Sequence, residues 1–368
     1  MRRINVTKPV IPDKKVLLSY IEKVLETGVL TNSGPLSEEL SRKISSLTGC
    51  KLVELTANGT DALMLALRGL DLAGKVITTP FTFAATVHAI KFLGLDPVFV
   101  DIDSDSLCLD ADKVCDLAIE PAAILSVQVY GNVGNAAKLE RFSKKTGVPL
   151  IFDASHSFGC LDENGRSLLD YGTCATTSFH ATKTFSTVEG GAVFCSEQGL
   201  AEQIRAMRNF GFREDGKIIN VGINSKISEF HSAFGLSTLG MMDSAIRARK
   251  AIFEEYRYQF KDVEEVKIIT NSNKVHNYTY LPIVIDTKHN VTQDIVNALN
   301  ADGIYPRRYF YPLLSNIPPY CDLPSANKSN LPVANFISER ILCLPIYPGL
   351  ETEDISRVCS IVKSMTLH

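Results

Sequence analysis

From about residue 36 onward the chain alternates short apolar runs with segments of helical periodicity, and this alternation narrows the possible folds more than any other feature. Residues 52–56, 76–79, 98–100, 124–129 and 150–153 read as strands, with two further candidates at 175–179 and 192–195. Between them, 60–70, 84–93 and 136–146 space their apolar residues as helices do. Strands that are apolar throughout and joined by helices must be covered on both faces, the pattern of βαβ units in a mostly parallel sheet. Ahead of them, Leu36, Leu40, Ile44 and Leu47 mark one face of a helix that Gly49 stops. A long helical region over 226–260 leads to a second part, with a strand at 278–285 and helices at 292–301 and 351–365. The expected fold is α/β: a large, mostly parallel-sheet domain over residues 1–260 and a small C-terminal α/β domain over 261–368.

Composition excludes several classes of function. With 45% hydrophobic and 21% charged residues among 368, the chain has the make-up of a folded globular protein. A formal net charge of −3 gives no basic field for nucleic acid or an anionic membrane, so neither is an expected partner. Nine cysteines, an odd number with no C-x-x-C pair, argue against a disulfide framework or zinc ribbon, and no metal is expected. Met1-Arg2-Arg3-Ile4-Asn5-Val6 lacks the apolar core of a secretory leader, and no apolar run approaches the ~18 residues of a membrane span. A soluble, cytoplasmic protein is expected.

Ligands of open parallel sheets sit beyond the carboxyl ends of the strands, so polar residues at those ends carry the functional signal. No G-x-G-x-x-G follows the first strand, which disfavours a nicotinamide dehydrogenase. Asn58-Gly59-Thr60-Asp61-Ala62-Leu63 follows instead, a glycine turn entering an apolar helix. Backbone can approach an anion there, and free first-turn N–H groups favour phosphate; an ordinary helix cap would look the same. The strand at 150–153 ends in Asp153, followed by Ala154-Ser155-His156, where the carboxylate either faces the ligand crevice or only caps the turn. Then come Thr177-Ser178-Phe179-His180-Ala181-Thr182-Lys183 and Glu189-Gly190-Gly191-Ala192, with Lys183 lying 30 residues after Asp153. Alone, such a lysine is most often a solvated surface charge. Together, a phosphate turn, an acid and a lysine in this order meet the needs of pyridoxal phosphate: donors for its phosphate, an anion for its pyridinium and an amine for its aldehyde.

These segments, with Gly222-Ile223-Asn224, resemble the DegT/StrS sugar aminotransferases, pyridoxal-phosphate enzymes of fold type I. The resemblance runs from Thr31-Asn32-Ser33-Gly34-Pro35 to Leu344-Pro345-Ile346-Tyr347-Pro348, and Ser-Phe-His-x-x-Lys with Glu-Gly-Gly is its most specific part. It implies that Lys183 holds the cofactor as a Schiff base and moves the proton, with pyridoxamine phosphate as the intermediate form. It implies further that Asp153 pairs with the pyridine nitrogen and that Gly59, Thr60 and Ser178 contact the phosphate. Phe83, in Pro80-Phe81-Thr82-Phe83, would stack on the ring, and His156 would stand near its phenolic oxygen. Asn224 would reach the phosphate of the neighbouring subunit, in a homodimer with shared active sites.

Within the family, Arg307-Arg308-Tyr309-Phe310-Tyr311-Pro312-Leu313 and Ser329-Asn330-Leu331-Pro332-Val333-Ala334-Asn335 resemble one branch. Its members aminate C4 of dTDP-4-dehydro-6-deoxy-D-glucose at the expense of L-glutamate, for surface glycans of the O-antigen type. Lys226, Arg307, Arg308 and Tyr309 become the candidate contacts to such a nucleotide-linked ketosugar. Three positions depart from the family pattern: Ala181 where proline is frequent, Ser155 where alanine is frequent, and Lys226 in place of a frequent arginine. Lys183 argues against the related 3-dehydratases, whose members carry histidine there. A 3-ketosugar, a GDP- or UDP-linked ketosugar, and a non-catalytic cofactor-binding regulator stand as alternatives. His88 and His231 fall in helical patterns and read as packed or surface groups; Arg247, Arg249 and Lys250 read as a solvated helix face.

Overall fold

The computed structural model describes residues 3–270 and 273–366. Its strands are β1 (Ile4–Asn5), β2 (Leu52–Thr56), β3 (Lys75–Thr78), β4 (Asp96–Phe99), β5 (Ala123–Val127), β6 (Leu150–Asp153), β7 (Cys174–Ser178), β8 (Gly191–Cys195), β9 (Val266–Ile268), β10 (Leu281–Ile285), β11 (Ile304–Tyr305) and β12 (Ile341–Leu344). Its α-helices are α1 (Lys14–Thr27), α2 (Pro35–Thr48), α3 (Gly59–Gly69), α4 (Ala84–Phe92), α5 (Ala111–Asp116), α6 (Ala136–Thr146), α7 (Gln198–Met207), α8 (Glu229–Leu239), α9 (Met242–Gln259), α10 (Thr292–Ala301), α11 (Pro332–Arg340) and α12 (Thr352–Thr366).

Seven strands form one sheet in the order β2-β8-β7-β6-β5-β3-β4, and β8 alone runs antiparallel to its neighbours. The expected mostly parallel sheet forms, and its one reversed strand has a geometric reason. A parallel return needs a long crossover, usually a helix, and the twelve residues between Ser178 and Gly191 contain no helix. They fold back as an irregular loop, and that loop carries Lys183.

Period-2 alternation sends successive side chains to opposite faces, and each face has its own core. Val53, Ile77, Ile124, Phe152 and Phe194 pack on one side with residues of α2, α6 and α8. Val76, Leu125, Ile151, Val193 and Cys195 pack on the other with α3, α4 and α7. Each fully buried aliphatic or aromatic side chain contributes roughly 1.5–3 kcal/mol of transfer free energy, which is why the strands read as continuously apolar. The buried stripe of α2 steps by four through Leu36, Leu40, Ile44 and Thr48, leaving Leu47 exposed, unlike the sequence expectation.

The single helical region expected over 226–260 is two helices, α8 and α9, separated at Gly240-Met241. The first turn of α9 packs in the large unit through Met242. Its second half, with Ile252, Phe253 and Tyr256, enters the core of the C-terminal unit, around the antiparallel sheet β12-β10-β9. Arg249, read from sequence as part of a solvated face, is fully buried between these two cores. Spacing explains the correction: Ala245, Arg249, Ile252, Phe253 and Tyr256 form one buried stripe, whereas Arg247 and Lys250 point to solvent. The Arg249 guanidinium donates to the carbonyls of Ile346 (3.0 Å), Tyr278 and Thr279 (both 3.4 Å), tying α9 to the C-terminal sheet.

The C-terminal unit also takes in the first residues of the chain. Ile4 and Asn5 pair in parallel with Ile304 and Tyr305, the Ile346 amide donates to the Val6 carbonyl (3.0 Å), and Ile4 is fully buried in the C-terminal core. Ile4, Ile252, Phe253 and Tyr256, all ahead of residue 260, thus share the core of the C-terminal unit. A further core joins the units, with Phe81, Phe99, Val127 and Tyr130 meeting Tyr280, Phe310, Leu313 and Tyr320. Among the described residues, no helix is long and apolar enough to cross a membrane. No cysteine is in a disulfide, and seven of the nine are buried.

Candidate active site

At the carboxyl ends of β6 and β7, roofed by side chains of the C-terminal unit, lies a cavity of about 320 Å³. Its first wall is the turn between β2 and α3. The Asn58 side chain caps α3 by accepting from the Asp61 amide (2.8 Å), and the Asn58 carbonyl accepts from Ala62 (3.2 Å). Neither bond uses the amides of Gly59 and Thr60, so those donors remain at the positive end of the helix, where an anion is favoured. Close backbone approach makes the turn possible. A Cβ on Gly59 would lie 2.7 Å from the Ser178 Cβ, and one on Gly191 would lie 2.6 Å from the Asn58 carbonyl carbon and oxygen. Gly191 faces both Thr56 and Ser178 across the sheet, so the glycine pair brings the α3 turn and Ser178 together.

Asp153 ends β6 and is 5% exposed. Its Oδ1 accepts from the Ser155 hydroxyl (2.6 Å) and amide (3.2 Å), while Oδ2 accepts from the Thr86 hydroxyl (2.7 Å). Thr86 in turn shares a 2.7 Å hydrogen bond with Thr82, one turn earlier. Lys183 lines the same cavity, with Nζ 5.7 Å from the centre of the Tyr280 ring. Burial lowers its pKa to about 8, against the opposing pull of Asp153. A larger share of neutral amine at neutral pH is what a nucleophilic lysine requires.

His156 lines the cavity too. The Tyr130 amide donates to its Nδ1 (3.0 Å), which puts the ring proton on Nε2. Burial, with the nearby Lys183 charge, holds its pKa well below the usual imidazole range, so it is a neutral Nε2–H donor. Tyr130 delivers that amide from a left-handed backbone (φ 57°), a conformation that favours glycine and is held here by packing. The Tyr130 hydroxyl donates to the Tyr309 carbonyl, and His276 Nε2 contacts the Tyr130 carbonyl (2.9 Å). Asn277 donates to the His156 and Phe158 carbonyls at 2.8 and 3.0 Å, and Thr184, next to Lys183, bonds Thr279 (2.6 Å). The C-terminal unit thereby clamps both the His156 turn and the Lys183 loop.

The structure brings together Gly59, Thr60, Phe83, Asp153, His156, Ser178, Lys183 and Tyr309. Phe83, the N-cap residue of α4, is 61% exposed and presents its ring at the mouth. Four proposed residues lie elsewhere. Arg308 donates to the carbonyls of Glu339 (2.7 Å) and Ser338 (3.2 Å) and to Gln293 (3.2 Å), and it lies 3.7 Å from the Tyr311 ring centre. Its charge serves the carbonyl end of α11, away from the residues that line the cavity. Arg307 is exposed, with its backbone paired to Cys343 (2.7 and 3.2 Å), and does not line the cavity. Asn224 is exposed and accepts from Lys226 (2.8 Å); Lys226 lines a separate groove of about 1060 Å³ together with Arg205 and Arg208. Thr86 and Tyr280 carry no mark in the sequence reading, whereas Phe310 lies in the 307–313 segment, and His180 and Glu189, 3.6 Å apart, lie in the segments that carry the family resemblance. A Thr82–Thr86 pair one turn apart in an apolar helix start was a usable signal for the first; the aromatic residues come from distant segments.

Known proteins of one family resemble this chain over nearly its whole length. The model of the DegT/DnrJ/EryC1/StrS aminotransferase family matches residues 13–363. The chain is 36% identical to the dTDP-4-amino-4,6-dideoxy-D-glucose transaminase of Escherichia coli, over 98% of each protein. It is 34% identical to the transaminase of that name from Shigella dysenteriae, over 98% of this chain and 99% of that one. Among solved structures, DesI crystallised in the presence of its TDP-sugar product superposes with a TM-score of 0.92, at 32% identity, covering 99% of this chain and 93% of the other.

Proposed function

The chain belongs to the DegT/DnrJ/EryC1/StrS aminotransferase family, and on that footing we propose that it moves an amino group from L-glutamate to C4 of dTDP-4-dehydro-6-deoxy-D-glucose. The observation that carries amino transfer is one cavity holding a buried lysine of lowered pKa, a buried carboxylate and a phosphate-ready helix turn. The choice of sugar rests on the names of two relatives matched over nearly their whole length.

Pyridoxal phosphate is the cofactor, and when bound it supplies an electron sink and an aldehyde that carries nitrogen between substrates. The residues present fit that group. Lys183 Nζ would be the amine that holds it and the base that takes the proton from the donor's Cα. The Asp153 carboxylate keeps a proton on the ring nitrogen, since a buried anion favours a neighbouring cation. The amides of Gly59 and Thr60, with the Ser178 hydroxyl, would hold the phosphate, His156 Nε2–H would supply a further donor, and Phe83 would cover the bound group from the mouth of the cavity. Tyr280, Tyr309 and Phe310 limit water in the cavity.

Purified protein given dTDP-4-dehydro-6-deoxy-D-glucose and L-glutamate is expected to release 2-oxoglutarate and a 4-amino-4,6-dideoxy sugar, identified by NMR. Nitrogen on C3, or turnover of GDP- or UDP-linked ketosugars alone, overturns the substrate while leaving amino transfer intact. No transfer with any nucleotide ketosugar favours a cofactor-binding regulator. A cytoplasmic place in surface-glycan biosynthesis is part of the same proposal.

The active form is proposed to be a homodimer. Seven large apolar side chains between 210 and 230 are exposed, among them Phe210, Ile218, Val221 (78%) and Phe230. An apolar surface of this density marks an interface, and Asn224 lies within it. Asn224 of the partner subunit then completes the phosphate site. Mixing inactive Lys183→Ala with inactive Asn224→Ala protein should restore activity through hybrid dimers that keep one intact site. A monomer by sedimentation with full activity contradicts the shared site.

A further inference from the structure

We propose that Ser155 and Thr86 are positioning residues that hold the Asp153 carboxylate at a fixed angle and charge density, with one acceptor position left for the cofactor's ring nitrogen. This rests on the cofactor site proposed above. A carboxylate offers about four lone-pair positions. Three are taken, by the Ser155 hydroxyl and amide on Oδ1 and by the Thr86 hydroxyl on Oδ2. Because each oxygen has its own anchor, the carboxylate cannot turn without breaking a short bond to a charged acceptor, the stronger kind of hydrogen bond.

The two hydroxyls occupy different places. Thr86 is fully buried behind the carboxylate, backed by Thr82 at 2.7 Å, and does not line the cavity. Its part is to set the carboxylate plane. Ser155 lines the cavity beside Asp153, so its hydroxyl draws on the same oxygen charge that a bound cation would feel. Its part is to moderate that charge. Without the Ser155 hydroxyl the carboxylate is more concentrated, and every nearby cationic group holds its proton to higher pH. Asp153 already acts on Lys183 in this sense.

The test uses holoenzymes of Ser155→Ala, Ser155→Thr, Thr86→Val and Thr86→Ser. In Ser155→Ala, the pH midpoint of the absorbance of the lysine-linked cofactor should rise by about half a unit or more, and Ser155→Thr should return it. In Thr86→Val, cofactor affinity measured by equilibrium dialysis should fall about tenfold, and Thr86→Ser should restore it. A purely structural role would lower the melting temperature and leave the absorbance midpoint where it is. An unchanged midpoint in Ser155→Ala, or an unchanged affinity in Thr86→Val, overturns the proposal. Absence of a borohydride-fixed cofactor on Lys183 in the unaltered protein removes the underlying site and this proposal with it.

Discussion

Lys183→Ala is expected to fold normally and to lose turnover by on the order of 10⁴-fold or more, since the attachment point and the proton-moving base vanish together. Lys183 makes no side-chain ion pair within 4 Å among the described residues, and the nearby Asp153 keeps its hydrogen bonds from Ser155 and Thr86 when the lysine is truncated. Borohydride reduction of the unaltered protein should fix the cofactor on the peptide carrying Lys183, and on no peptide of the variant. The same lysine predicts a pH dependence. Only the neutral amine attacks an aldehyde, and burial lowers the Lys183 pKa from 10.5 to about 8. Cofactor capture by the apoenzyme should therefore accelerate as pH rises toward 8 and level off above it. A rate that keeps climbing to pH 10, or an adduct on another lysine, sinks the assignment.

Asp153→Asn is expected to cost ~10²-fold or more in turnover, on the order of 3 kcal/mol of barrier, because a neutral amide cannot keep the ring nitrogen protonated. The hydrogen bonds around it indicate that the fold survives. The Ser155 amide can only donate, so the asparagine oxygen must face Ser155 and its amide group must face Thr86. Thr86 can accept from that group if it turns its own proton toward Thr82, and the 2.7 Å pair allows either direction. Both contacts persist, and the melting temperature should stay near that of the unaltered protein. Near-normal turnover in a correctly folded variant would place the functional anion elsewhere.

Local pattern marked where the central residues of the candidate site stand, and the family resemblance supplied their proposed roles. Asp153, Ser178 and Gly59 stand where apolar strands stop, and polar groups at such ends have few reasons to exist apart from a ligand or a cap. Residues whose roles depend on distant segments were not readable. Tyr280 and Phe310 face Lys183 from about 100 and 130 residues away, and nothing in their own neighbourhoods distinguishes a cavity roof from ordinary packing. Arg249 failed for another reason: its exposed neighbours Arg247 and Lys250 suggested a charged face, although the spacing from Ala245 to Ile252 had already set it inward. The reversed strand β8 went unforeseen because strand direction depends on what connects the strands, and the connection here is a loop without a helix.

The pairing of Ile4 and Asn5 with Ile304 and Tyr305 bears on how the protein is made. Synthesis delivers the first strand about 300 residues before its partner, so that segment must wait unpaired while the seven-stranded sheet assembles. The C-terminal core closes only after both ends of the chain meet, because Ile4 belongs to it and Val6 accepts from Ile346. Domains that emerge early from the ribosome fold early, yet here the earliest residues are among the last to dock. Until then Asp153 and Lys183 stand without their cover, because Tyr280, Tyr309 and Phe310 reach the cavity from the late-docking unit.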